Sequence, residues 1–207
     1  MAFDYDKLAA NWDNPTRITR GKNVSTKIKN YIPDGKYKTA MEFGCGTGLV
    51  GFDLLDKFES VDFVDCAEKM IDIVNEKIKM ADVKNAAAYA VDLIGGDTLD
   101  KKYDIIFHSM ALHHVVDLEA GIKMFHNYLN DGGCLCIVDM NPEDGHFHDD
   151  RPGFDGHFGF DQDDLKGKLE SWGFDQVTSE TFLFDHKNIG EKRLDFSLFI
   201  MTGTKKN

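Results

Sequence analysis

The chain has 207 residues, 42% hydrophobic and 12% aromatic, and carries 36 Asp and Glu against 24 Lys and Arg, for a formal net charge of −12. That imbalance argues against a duplex nucleic-acid binder, which needs a basic face to displace counterions from phosphates. The length suits a single domain with a sizeable core, and no segment approaches the roughly 20 apolar residues that span a bilayer. Residues 1–8 contain Asp4 and Asp6 and no apolar run, so neither a signal nor a transit peptide is expected and the reading is cytoplasmic. Cys45, Cys66, Cys134 and Cys136 show no CxxC spacing and lie in or beside expected strands, where reduced cysteine acts as a small hydrophobe.

In chain order, Leu8, Ala9 and Trp12 recur at helical spacing before a turn at Asn14-Pro15. Val24, Ile28, Tyr31 and Ile32 then mark one face of a second helix, which Pro33-Asp34-Gly35 ends. From Thr39 strands alternate with helices: strands at 39–43, 61–64, 87–91, 103–107 and 133–140, with helices marked by Met70, Ile71, Val74 and Ile78, and by Leu118, Ile122, Phe125 and Leu129. A further helix is expected directly after the first strand. Such alternation implies right-handed crossovers and a parallel sheet covered on both faces, with the chemistry at the strands' carboxyl ends. The pattern breaks over residues 141–159, resumes with a helix through Leu165, Leu169 and Trp172, and closes with two strands, 174–184 and 193–204, joined by a turn around residues 187–190. A short connection makes that pair antiparallel. The expected fold is therefore α/β, a Rossmann-like seven-stranded sheet, mostly parallel with an antiparallel C-terminal hairpin and helices on both faces.

The strongest motif is Glu42-Phe-Gly44-Cys45-Gly46-Thr-Gly48, where the first strand ends. A mere strand-to-helix turn needs one glycine and rarely three at alternate positions; three let bare backbone N–H groups face a ligand. Gly46-Thr-Gly48-Leu-Val-Gly51 also satisfies GxGxxG, and Asp65 follows at a suitable distance, so a nicotinamide-dependent oxidoreductase is one reading. Its frame, however, starts two residues into the turn.

Glu42 to Gly48 resembles motif I of the class I S-adenosylmethionine-dependent methyltransferases. The resemblance continues through Asp65-Cys66-Ala-Glu-Lys-Met70, Asp92-Leu93, the run from Tyr103 through Ser109-Met110 to His113-His114, and Leu129-Asn-Asp-Gly-Gly133. It implies that Gly44, Cys45 and Gly46 line the methionine part of S-adenosylmethionine, that Glu42 orients its ammonium group, and that Asp65, followed by Cys66, accepts both ribose hydroxyls. Met70 would pack on the adenine, Asp92 would accept its amino group with Leu93 alongside, and Ser109 and Met110 would approach the sulfonium. One of His113 and His114 would face the cofactor or acceptor, and His114 is counted here with the cofactor residues. Bland alternatives stand beside these: Asp65 as a helix N-cap, Met70 as core, Asp92 as a turn aspartate. A binding protein that holds the cofactor without transferring methyl is a further reading.

Acceptor choice should come from parts outside the common core. Residues 1–35 are expected to form helices covering the site, with Tyr5, Trp12 and Arg17 or Arg20 as a lid. The loop 141–159 is expected on the substrate side, since residues 143–157 carry three histidines and five acids. His148 and Asp139 are the candidate groups near a small-molecule acceptor, and the loop's acids suggest a field favouring a cationic or neutral one. His146-x-His148 with Asp149 or His157 has the ligand types of a zinc or iron site, but its spacing matches no strong template, so no metal is expected.

Overall fold

The structure, a computed structural model, describes residues 4–151 and 153–206. Seven strands form one sheet: β1 (Thr39–Phe43), β2 (Ser60–Asp65), β3 (Ala86–Ala90), β4 (Tyr103–Ser109), β5 (Leu129–Met140), β6 (Phe174–Ile189) and β7 (Lys192–Lys205), in the order β3-β2-β1-β4-β5-β7-β6. β1 through β5 pair in parallel, while β7 runs antiparallel between β5 and β6. The order reverses between β1 and β4, so the crevice for a ligand opens where Phe43 and Ser109 end their strands.

Four α-helices cover the sheet: α1 (Pro15–Tyr31), α2 (Glu68–Met80), α3 (Leu118–Tyr128) and α4 (Gln162–Ser171). The Asn14 side chain accepts the Arg17 N–H and Pro15 occupies the first turn, which fixes the start of α1. Asp117 and Asp161 cap α3 and α4 in the same way. Alternation along the strands splits the core in two. Ala40, Val61, Phe63, Ile105 and Phe107 pack against Val24 and Ile28 of α1 and Ile71 and Val74 of α2. Met41, Val64, Ile106, Leu135 and Ile137 pack against Ile122 and Phe125 of α3 and Leu165 and Leu169 of α4. Burial on both faces explains why these strands read as continuous apolar runs.

Three details depart from the sequence reading. The segment after the glycine turn is a 3-10 helix, Gly51–Lys57, instead of an α-helix, and Gly51 itself packs against the Glu42 carboxylate and the Phe63 ring. Leu129 opens β5 instead of closing α3, because the chain turns extended there. The C-terminal hairpin continues to Ile189 and resumes at Lys192, so its turn lies at Gly190-Glu191. No described helix is long and apolar enough to cross a membrane.

Candidate active site

The glycine turn leaves β1 with Gly44, Gly46 and Gly48 at φ of +60°, +53° and +80°, in the left-handed region that glycine enters without strain. A Cβ at Gly44 would lie 2.6 Å from that of Ala111, and one at Gly46 would lie 3.2 Å from the indole nitrogen of Trp12. The turn is bare backbone squeezed between two neighbouring segments. Cys45 N–H donates to Val64 O at 3.1 Å, Gly46 N–H donates to Asp65 Oδ2 at 2.8 Å, and Ala67 N–H donates to Asp65 Oδ1 at 2.9 Å. Asp65 thus braces the turn against β2. It is not the N-cap of α2, a position held by Ala67 without a side-chain bond. Burial pushes its carboxyl up, against the lowering effect of those N–H groups, and the oxygens retain lone pairs for further donors.

Glu42 is buried in β1, where its Oε2 accepts the Gly51 N–H at 3.1 Å, and burial pushes its carboxyl up to about 8. The bare turn and the carboxylates fit the cofactor that the motif resemblance implies, since its amino-acid end, ribose and adenine all bring hydrogen-bond donors. Cys45 is buried in the turn and Cys66 is exposed beside Asp65. Asp92 is exposed and accepts the Gly95 N–H at 2.8 Å in a turn of its own, with Leu93 buried beside it. Met70 packs in a small cluster with Ala9 and Ala67, flanked by Tyr5 and Trp12. Ser109 ends β4, and Met110, a non-glycine residue at φ +54°, donates its N–H to Val138 O at 2.8 Å.

The segment before α1 lies over this site as two short 3-10 turns, Tyr5–Lys7 and Ala9–Asn11. Asp6 accepts the Lys69 N–H at 2.9 Å, while Asp13 pairs with Lys77 at 2.8 Å and accepts the Thr47 hydroxyl. Arg17 stacks over the Trp12 ring at 4.1 Å. Arg20 instead pairs with Asp185 of β6 at 2.6 Å, so it ties α1 to the hairpin and takes no part in the cover.

Past β4 the chain forms a single turn, Leu112–His114, opposite the loop 141–159. His113 is buried; its Nδ1 lies 2.7 Å from Asp139 Oδ1 and its backbone N–H donates to Asp139 Oδ2 at 3.2 Å. Burial pushes the fully enclosed Asp139 carboxyl up, yet His113 and the donated N–H groups outweigh it and hold the group below the usual carboxylate range. His114 Nε2 lies 3.0 Å from the Tyr5 hydroxyl, which in turn accepts from Arg151 Nη1 at 2.7 Å. His148 stacks on Phe154 with ring centroids 3.8 Å apart, and neither of its ring nitrogens has a hydrogen-bond partner among the described residues. Burial brings its pKa down to about 3, which leaves a neutral imidazole.

The loop histidines therefore divide differently from the spacing argument. His146 is exposed and pairs with Asp149 at 3.0 Å, and His157 bonds Val115 O at 3.0 Å. The histidines that converge are His113, His114 and His148. Two of the loop's five acids are also engaged away from the histidines: Asp150 pairs with Lys187 at 2.8 Å, and Glu143 accepts the N–H groups of Gly145 and Phe147. The cationic group nearest the histidines is Arg151, with its Nη1 3.4 Å from His114 Nε2, set against the Asp139 carboxylate 2.7 Å from His113 Nδ1. Sequence reasoning missed the His113–Asp139 pairing and Arg151. One signal was available, since an aspartate closing an apolar strand needs a buried partner.

The sequence model of a methyltransferase domain family matches residues 41–135. An uncharacterized methyltransferase of Schizosaccharomyces pombe is 24% identical over 185 residues, covering 70% of this chain and 65% of that protein. The chain thus spans just under two thirds of that relative's length. Among solved structures, the chain complexed with the Haloferax volcanii Trm112 methyltransferase activator superposes with a TM-score of 0.80 at 14% identity, covering 100% of both. Phosphoethanolamine N-methyltransferase 2 of Haemonchus contortus, in complex with S-adenosyl-L-methionine, gives a TM-score of 0.71 at 12% identity, with 90% of this chain and 52% of that one covered.

Proposed function

We propose, for a chain that belongs to the class I S-adenosylmethionine-dependent methyltransferase family, that it transfers a methyl group from S-adenosylmethionine to a small-molecule acceptor approaching from the side of His113, His114 and His148. The observation that carries this reading is the glycine turn, bare at Gly44, Gly46 and Gly48 and braced by Asp65, lying one strand from the histidine wall. When bound, the cofactor supplies a methyl group on a cationic sulfur that leaves as a neutral thioether, so positioning is the main demand on the protein. The bare backbone of the turn and the acceptor oxygens of Glu42, Asp65 and Asp92 bind and orient. Trp12 and its segment exclude water from above. Asp139 is a positioning residue: by accepting from His113 Nδ1 it fixes the tautomer and turns the Nε2 lone pair toward the cluster. His148 meets the acceptor with a neutral imidazole whose unpartnered ring nitrogens can hydrogen-bond and orient it.

The nicotinamide reading fares worse because its GxGxxG frame needs an α-helix N-terminus for the pyrophosphate, and Gly51 opens a seven-residue 3-10 helix. A small acceptor suits the net charge of −12 and a site hemmed in by the N-terminal segment and the 141–159 loop. The test is a screen of small-molecule acceptors with labelled methyl donor. Against an acceptor so found, His148→Ala should cut turnover by about 100-fold or more with S-adenosylhomocysteine affinity unchanged. Label transferred only to a protein would refute the small-molecule part; a His148→Ala loss confined to cofactor affinity would remove His148 from the acceptor side.

A further inference from the structure

The histidines beside the cofactor turn admit a more specific chemistry than hydrogen bonding. We infer that His113, His114 and His148 form a binding site for one divalent transition-metal ion of the imidazole-preferring class, such as Zn2+. One ring nitrogen from each lies within 4.8 Å of the others. Their ring centroids are 4.0, 5.1 and 5.5 Å apart. With metal–nitrogen bonds of about 2.1 Å, a tetrahedral ion holds three imidazole nitrogens about 3.4 Å apart and the ring centres about 5 Å apart. The rings already have that spread, and side-chain rotations of about an ångström close the nitrogens onto an ion.

Two independent observations point to a ligand there. His148 is only 4% exposed, yet both its ring nitrogens lack a partner among the described residues. Buried polar atoms are rarely left so, and an ion satisfies one of them. His113 gives its Nδ1 to Asp139 at 2.7 Å, the carboxylate–histidine arrangement that orients a metal ligand and leaves Nε2 for the ion. Arg151 opposes binding, with its Nη1 3.4 Å from His114 Nε2, so the site should be weaker than three histidines remote from a cation.

Three neutral ligands leave the ion its charge and an open coordination position, which suits an acceptor hydroxyl or thiol. Bound there, the acceptor loses its proton to solvent water. Its oxygen or sulfur then forms the bond to the methyl carbon as the sulfur–methyl bond breaks and its electron pair stays on the thioether. The site rests on geometry alone; this use of it rests on the methyl-transfer reading above.

The test is titration of untagged, chelator-stripped protein with Co2+, followed by the visible bands of four- or five-coordinate cobalt. One equivalent should bind and be displaced by Zn2+. His148→Ala and His113→Ala should each weaken binding by 10-fold or more, and His148→Gln serves where the alanine variant does not fold. His146→Ala, on the same loop but outside the cluster, should bind as the parent does. No bands, bands unchanged in the His148 variants, or bands lost in His146→Ala would overturn the site. S-adenosylhomocysteine calorimetry on the same samples tests the cofactor reading separately, so either can fail alone.

Discussion

Replacing Asp65 by alanine removes an acceptor that the structure uses twice before any ligand arrives. Its two oxygens take the N–H groups of Gly46 at 2.8 Å and Ala67 at 2.9 Å, and truncation leaves both amides without that partner. A hydrogen bond to a charged acceptor contributes about 1.5–3 kcal/mol. The carboxylate is only partly buried, so water can reach the freed amides and offset part of the lower-end loss, which leaves about 2–3 kcal/mol for the pair. At about 2–4 °C per kcal/mol for a chain of this size, the melting temperature should fall by about 4–12 °C without ligand. Binding should weaken as well, because the turn loses its brace and the ribose hydroxyls lose an acceptor. A 10-fold drop in S-adenosylhomocysteine affinity, about 1.4 kcal/mol, is the minimum expected. Asp65→Asn keeps one acceptor oxygen and should fall between. Scanning calorimetry and titration calorimetry on the three proteins give both quantities. An unchanged melting temperature would mean that Asp65 does not brace the turn, and unchanged affinity would remove it from the site.

Two further outcomes follow from buried acids. Glu42, raised from 4.5 to about 8 by burial, holds a proton in the folded state that the unfolded chain releases. Its contribution is fully present below about 4.5 and is lost as pH rises toward 8, so the parent should lose stability relative to Glu42→Gln across that window. A stability difference independent of pH, in paired melts, would refute this. Tyr103 donates to Asp62 Oδ2 at 2.8 Å at the opposite end of the sheet from the site, with both residues buried. Tyr103→Phe should cost about 1.5–3 kcal/mol in denaturant titration and leave S-adenosylhomocysteine affinity unchanged; an altered affinity would count against the site's location.

The sheet was legible because β1, β2, β4 and β5 are apolar on both faces, and α1 because Asn14-Pro15 and Pro33 bracket a periodic run. The 3-10 helix after the glycine turn was not, since nothing local shows that Gly51 must fit beneath the Glu42 carboxylate and the Phe63 ring. Motif spacing identified Glu42, the glycines and Asp65 as neighbours of one cleft. It did not reveal that Asp65 already carries two backbone N–H groups, because that depends on how β1 and β2 end side by side. The histidines were hardest. His113 and His148 lie on different connections, and the fold of the 141–159 loop brings His148 to the pair while turning His146 outward. The same loop looked acidic in sequence, yet Glu143, Asp144, Asp149 and Asp150 are engaged with Lys187, His146 and backbone amides.

The central claim is that the glycine turn between β1 and the Gly51–Lys57 helix holds an S-adenosyl cofactor. Calorimetry of the unmodified protein with S-adenosylhomocysteine and, separately, with NADH tests it most directly. One-to-one binding of S-adenosylhomocysteine and no heat from NADH are expected; binding of NADH alone would contradict the assignment.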